Sequence, residues 1–184
     1  MALFGRKKLK KAVRDRLLAL TKARDTLDEL GLRSSGEAAV VFKPPSAAAN
    51  FRAENELQEL LDVVAQSSPS RVDRRGDEFG FEWLIVRDND LDQAVATVER
   101  IASELVARGF GDQLLAAPFR FDGGKHPVYF IFGFKRGGFW PFIPTGEDKE
   151  RDNAEELELK EKLEKKLPIE QDLTRWLALF DAPI

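Results

Sequence analysis

The sequence predicts an α+β fold, in which one mainly antiparallel sheet of four to five strands carries helices on one face. Two observations lead to this prediction. Stretches with apolar residues at every second position alternate with stretches at the 3.6-residue period of a helix. In addition, two Phe-rich stretches are joined by a Gly-Gly turn, as in an antiparallel hairpin. We therefore expect a two-layer sandwich with helical segments at both ends.

The 184 residues fit one domain, within which the residue composition changes twice. We expect a basic N-terminal helix in residues 1–30, an α+β core in 31–145 and a charged helical appendage in 146–184. The sheet itself is expected within residues 37–136.

The first elements follow from apolar spacing and from residues that end a helix or strand. Residues 8–30 favour a helix, which Gly31 ends. Residues 37–43 form a short strand candidate, closed by Pro44-Pro45. Residues 50–66 return to helical spacing.

Two strands and the clearest helix come next. Residues 71–75 are polar and suit an edge strand. Residues 79–87 alternate, with four apolar side chains on one face: Phe79, Phe81, Trp83 and Ile85. Residues 90–108 predict a helix that packs on the sheet through one apolar stripe: Leu91, Val95, Val98, Ile101 and Leu105.

The remaining elements are a hairpin and the C-terminal helices. Strands are expected at residues 113–121 and 127–136, joined by Asp122-Gly123-Gly124. A charged amphipathic helix is expected at residues 152–166. Pro168 separates it from a last short helix that carries Leu173, Trp176, Leu177 and Phe180.

Composition limits the function classes. Cysteine is absent, which excludes disulfides and thiolate chemistry and favours a reducing compartment. No apolar run approaches the ~20 residues of a membrane span, so we expect a cytoplasmic protein. The net charge of -3 and the sequence pI near 5.4 argue against a nucleic-acid binder.

Catalytic and metal-binding motifs are not found in the sequence. His126 is the one histidine and lies in a predicted turn, and no phosphate-binding glycine frame is present. Asp88 and Asp90 are explained by capping the helix that follows them. We therefore expect no catalytic residues, no metal and no cofactor, and a protein that is not an enzyme.

One stretch combines basic and aromatic residues in a way that suits protein binding. Lys135 and Arg136 precede an aromatic cluster, and Arg side chains and aromatics dominate interface hot spots. The candidate protein-binding residues are Arg136, Phe139, Trp140 and Phe142. Aromatics at the end of a strand also commonly close a core, so whether this segment is surface or core stays open.

The basic N-terminal arm, residues 1–16, suggests an alternative, peripheral membrane binding. Basic side chains attract anionic lipid headgroups, while Leu3, Phe4 and Leu9 have the apolar character to enter the interface. The candidate lipid-binding residues are Arg6, Lys7, Lys8, Lys10 and Lys11.

Several separated stretches, in order, resemble the PspA-associated protein AB (PspAB) family. These stretches cover most of the chain after Leu30: Gly31-Leu32-Arg33, Phe42-Lys43-Pro44, residues 79–88, residues 109–115, residues 127–144, residues 151–154, Leu167-Pro168, Asp172-Leu173, Arg175-Trp176 and Ala182-Pro183. The first thirty residues match weakly.

The resemblance implies an accessory protein of the phage-shock membrane-stress response. Its expected partner is PspA or another stress-response protein, with a link to quality control by the HtpX protease. The resemblance supplies no reaction, so we expect a non-enzymatic adaptor. An undetected enzyme is the other alternative, and its signature would be a deep polar pocket lined by Arg87, Asp88 or Arg136.

Overall fold

A computed structural model describes residues 7–45, 50–146 and 148–184 and contains one six-stranded sheet. Every neighbouring pair is antiparallel, in the order β2-β3-β1-β4-β5-β6. The strands are β1 (Arg33–Phe42), β2 (Arg71–Gly76), β3 (Glu82–Arg87), β4 (Leu114–Asp122), β5 (Val128–Gly133) and β6 (Gly138–Phe142).

The α+β class and the antiparallel sheet are thus as the sequence predicts, but the sheet has six strands rather than four to five. The helices are α1 (Lys11–Lys22), α2 (Arg24–Glu29), α3 (Asn50–Ser67), α4 (Leu91–Ala107) and α5 (Asn153–Leu163). α4 packs across β1, β3 and β4, and α1 and α3 pack beside it. α5 lies next to the edge strand β6.

The main core lies between α4 and the sheet. Strands β4 and β5 pair as the predicted hairpin, and Phe119, Phe121, Phe130 and Phe132 share one face and are buried. α4 presents its predicted stripe to this face, and Val95, Val98, Ile101 and Leu105 are fully buried. The Asp90 carboxylate caps α4 by accepting a hydrogen bond from the Asp92 amide.

The sixth strand, β6, is not among the predicted strands, and it contains Pro141. Proline is tolerated on an edge strand, where its ring nitrogen is not needed for the ladder. β6 is the edge, and the amide of Phe139 points away from β5 to donate to the carbonyl of Pro168 at 2.8 Å. Two residues later, the backbone nitrogen of Pro141 also points away from β5. Its missing N–H therefore costs the sheet no ladder hydrogen bond.

Three predicted elements in the first half have different bounds. The helix expected over residues 8–30 is interrupted at Ala23, and both Leu20 and Leu27 remain buried on either side of the interruption. β1 begins earlier than expected and contains a bulge at Gly36, whose φ is +83°. β3 begins only at Glu82.

The late start of β3 has a local cause in Asp77. The Asp77 carboxylate accepts hydrogen bonds from the amides of Phe79 and Phe81, each at 2.9 Å. These bonds hold residues 77–81 in a turn and leave Phe79 58% exposed. The indole of Trp83 donates to the same carboxylate at 3.0 Å, which fixes the side chain where the strand begins.

The expected last short helix is instead a single 3-10 turn, Leu173–Arg175, followed by irregular backbone to the C-terminus. Trp176 is nevertheless buried, and Phe180 packs edge-on against Phe142 with ring centroids 5.1 Å apart. The C-terminal segment is therefore held by docking onto the sheet rather than by helical hydrogen bonds.

The docking of α4 predicts a large effect of a buried charge. Ile101→Asp places a carboxylate at a fully buried position, and we expect it to lower the free energy of unfolding by several kcal/mol. Ala96→Asp, on the exposed side of α4, is the matched control and is expected to change little. Thermal and urea unfolding measure both, and equal stabilities of the two variants would contradict the packing.

A candidate binding groove on the open face of the sheet

The face of the sheet opposite α4, called the open face below, contains a row of residues that lie side by side on four strands. Trp83 pairs with Val41, Val41 pairs with Ala116, and Ala116 pairs with Gly133. Paired residues of antiparallel strands point to the same face. Since alanine and glycine fill little space, the row forms a depression beside the bulky Trp83.

Trp140 forms the opposite end of this depression and depends on Gly133. A Cβ atom at Gly133 would lie 2.9 Å from Cζ3 of the Trp140 indole, so the ring lies directly over the β5 backbone. Glycine inside a strand often marks such a close approach. The indole Nε1 donates to the carbonyl of Leu177 at 2.9 Å, and only 6% of the residue is exposed.

Residues 168–184, called the C-terminal strap below, form the remaining wall. The strap begins by pairing with the free edge of β6, where the amide of Glu170 donates to the carbonyl of Phe139 at 2.8 Å. It then crosses the open face, and Leu177 and Leu179 line the depression. At its end, the hydroxyl of Tyr129 donates to the backbone carbonyl oxygen of Ile184 at 2.8 Å.

A buried ion pair holds the middle of the strap. Glu156 is 1% exposed and accepts hydrogen bonds from Arg151 Nε and from the Ile143 amide, both at 2.9 Å. Arg151 also donates through Nη1 to the carbonyl of Trp176 at 2.9 Å. Burial raises the pKa of Glu156, while Arg151 and the Ile143 amide act in the opposite direction. The pair therefore connects α5 to the strap.

Together these walls enclose a groove of about 440 Å³, within the range of small-molecule and peptide side-chain pockets. Its lining is mainly apolar: Val41, Phe81, Trp83, Leu115, Ala116, Gly133, Trp140, Leu177 and Leu179. Leu115 and Leu177 are 42% and 63% exposed, so the apolar lining continues onto the outer surface.

Charged side chains lie at the mouth of the groove. Arg136 pairs with Glu170 at 3.2 Å, and Arg175 pairs with Asp172 at 2.9 Å. Lys135 is exposed and forms no ion pair with the residues that the structure describes. The mouth therefore carries an unneutralised positive charge next to an apolar cavity.

The structure separates the four predicted protein-binding residues. The Arg136 side chain is 52% exposed at the mouth, and Trp140 borders the groove. Phe139 and Phe142 are fully buried, so of the two alternatives left open for the aromatic segment, these two side chains belong to the core and not to an exposed surface. Partner contact through Arg136 and Trp140 stays a prediction.

The predicted lipid-binding residues are also separated. Lys7, Lys8 and Lys10 line a second cleft near Lys135. Lys11 is not in its lining and pairs with Asp15 at 2.7 Å. Arg6 lies outside the described residues.

Sequence reasoning did not identify Trp83 or the strap residues Leu177 and Leu179 as part of a site. Trp83 was predicted to lie on a strand, but β1, which supplies its neighbour Val41, is distant from it in sequence. Leu177 was expected on a helix. The available signal was the small pair Ala116 and Gly133 on strands otherwise rich in bulky residues, which indicates space on one face.

The residues considered for catalysis have other partners. The Asp88 carboxylate accepts hydrogen bonds from the Ser70 hydroxyl at 2.8 Å and from the Asp90 amide at 2.9 Å. Arg87 pairs with Glu37 at 3.4 Å and does not line the groove. Within residues 7–45, 50–146 and 148–184, no three His, Asp or Glu side chains converge as metal ligands.

The family assignment comes from the whole chain. A family model described as PspAB, PspA associated protein B, matches residues 1–184. The chain belongs to the PspAB family. Neither a curated protein nor a solved structure matches it. In the described part of this PspAB protein, no helix has the length and apolar character needed to cross a membrane.

The burial of Trp140 predicts that its truncation destabilises the fold. Trp140→Ala removes the indole from Gly133 and its hydrogen bond to Leu177, and we expect a loss of about 3 kcal/mol or more in the free energy of unfolding. Phe79→Ala, at a 58% exposed aromatic, is the control and should cost far less. Equal losses in urea unfolding would show that Trp140 is not part of the core.

The Arg151–Glu156 pair predicts local release of the strap. Arg151→Ala leaves a buried carboxylate without its ion-pair partner, and we expect a loss on the order of 3 kcal/mol. Hydrogen exchange should accelerate most at residues 173–184, because the bond to Trp176 is also lost. The control is Arg175→Ala, which breaks an exposed pair. Unchanged exchange in the strap of Arg151→Ala would contradict the role assigned to this pair.

Proposed function

We propose that this protein is a non-enzymatic accessory of PspA, or of another stress-response protein, and that it acts by protein–protein binding. The family carries association with PspA in its name. The observation that carries the proposal is the apolar groove between Trp83 and Trp140, whose lining extends to the exposed Leu115 and Leu177. An apolar patch of this kind, rimmed by polar residues, is typical of a docking surface.

The floor of the groove supports recognition of apolar side chains. Ala116 and Gly133 leave a cavity in the surface, and the two indoles at its ends form rigid walls. Side chains from a partner helix or strand would enter this space and displace water from the aromatic surfaces. Anchors of this type in pockets commonly provide most of the free energy of binding.

The charges at the mouth support a partner segment with acidic residues next to its apolar ones. Lys135 is free of ion pairs among the described residues, and Arg136 is half exposed. A carboxylate on the partner would be attracted by both. Such rim charges mainly increase the association rate and specificity. HtpX and cytoplasmic localisation stay predictions for this protein.

A substitution that fills the groove tests the proposal. Ala116→Phe is expected to fill the space between Trp83 and Trp140 and to weaken binding to PspA of the same organism at least tenfold. Isothermal titration calorimetry or co-purification under membrane stress measures the effect, with thermal unfolding to verify that the variant remains folded.

A charge reversal at the mouth provides a second test, with a matched control. Lys135→Glu is expected to slow association with PspA, because it places a negative charge at the mouth. Lys125→Glu makes the same charge change in the turn between β4 and β5, outside the groove lining, and should bind as the unmodified protein does. Absence of PspA binding by the unmodified chain, or full binding by Ala116→Phe, would refute the proposal.

A further inference from the structure

A second cleft, of about 770 Å³, lies between residues 7–13 and one end of the sheet. It is separate from the groove but shares Leu115 and Lys135 with it. Four lysines line this basic cleft: Lys7, Lys8, Lys10 and Lys135. Among the described residues that line it, one is acidic, Asp112.

The positive charge of the basic cleft is not neutralised by ion pairs within the described part of the chain. None of the four lysines forms an ion pair with a residue of the described ranges, whereas the neighbouring Lys11 pairs with Asp15. Exposed ammonium groups that share one cleft repel each other, and an anion placed between them relieves that repulsion. The charge pattern therefore favours an anionic ligand.

The floor of the basic cleft is apolar. Val106, Leu114 and Phe134 are buried in the core and line it from below, and Leu9 and Val13 of the arm line it from the side. A small inorganic anion gains no favourable contact from this apolar surface. A ligand with an anionic head and an apolar tail matches the charged rim and the apolar floor together.

We propose that the basic cleft binds an anionic phospholipid at a bilayer surface. The lysines hold the phosphate headgroup, and the upper part of one acyl chain lies on the apolar floor beside Leu9. This inference goes beyond the proposed PspA binding, because it concerns a different cavity and needs no protein partner.

Vesicle flotation of the full chain tests the charge component. We expect recovery with phosphatidylcholine vesicles that contain phosphatidylglycerol and little recovery with phosphatidylcholine alone. Replacing Lys7, Lys8 and Lys10 together by Gln should weaken binding on the order of 100-fold, from about fivefold per lysine near the surface.

The matched control removes the same charge elsewhere. Lys125, Lys165 and Lys166 are exposed, form no ion pair within the described chain and do not line the basic cleft. Their combined replacement by Gln should change binding less than about threefold. Equal losses in the two triple variants, or equal recovery on neutral vesicles, would overturn the proposal.

A second pair of variants tests the acyl component. Leu9→Asp places a charge against the apolar floor, whereas Ala12→Asp places the same charge on the exposed side of α1 nearby. We expect Leu9→Asp to bind at least tenfold more weakly than Ala12→Asp, with both variants verified by thermal unfolding. Equal binding would reduce the site to surface electrostatics and overturn the acyl contact.

Soluble glycerol 3-phosphate distinguishes a lipid from a free phosphate ester. We expect no competition with the vesicles, because the headgroup without its chain lacks the apolar contact. Full competition would overturn the lipid assignment in favour of a soluble anion. All of these vesicle experiments are done without PspA. A negative result in them is therefore independent of a negative result in the PspA binding experiment.

Discussion

The contact between the Trp140 indole and the backbone of Gly133 is the constraint on which the open face depends. A side chain at Gly133 would displace the ring, and without the ring the strap would lose the hydrogen bond to Leu177. The groove would then lose both the wall formed by Trp140 and the wall formed by the C-terminal strap. The same contact stabilises the edge of the sheet, because Trp140 lies on the edge strand β6.

The C-terminal strap converts an exposed sheet face into a partly enclosed one. Its ends are attached by different interactions: backbone pairing with β6 at the start and the Tyr129 hydrogen bond to Ile184 at the end. Between these points the Arg151–Glu156 pair fixes Trp176. Because the strap has little regular structure of its own, its position and the shape of the groove depend on these side-chain contacts.

The two cavities lie next to each other and differ in chemistry. The groove is apolar with a weakly basic mouth, whereas the adjacent cleft combines an apolar floor with four lysines. Lys135 and Leu115 belong to both. This arrangement would place a PspA-binding surface beside a lipid-binding one, so that binding at a membrane and binding of a protein partner would involve one continuous side of the molecule.

The sequence by itself determined the elements that depend on local patterns: the stripe of α4, and the hairpin of β4 and β5 with the turn between them. It also determined the PspAB resemblance, since separated stretches of the chain carry it. Only the tertiary structure decided that Phe139 and Phe142 are core, that Pro141 lies on an edge strand, and that Val41, Trp83, Ala116 and Gly133 form one row. The physical reason is that strand order and register are set by contacts between residues far apart in the chain. Near Trp176 the sequence has helical spacing, but the segment docks against the sheet as irregular backbone instead of forming a helix.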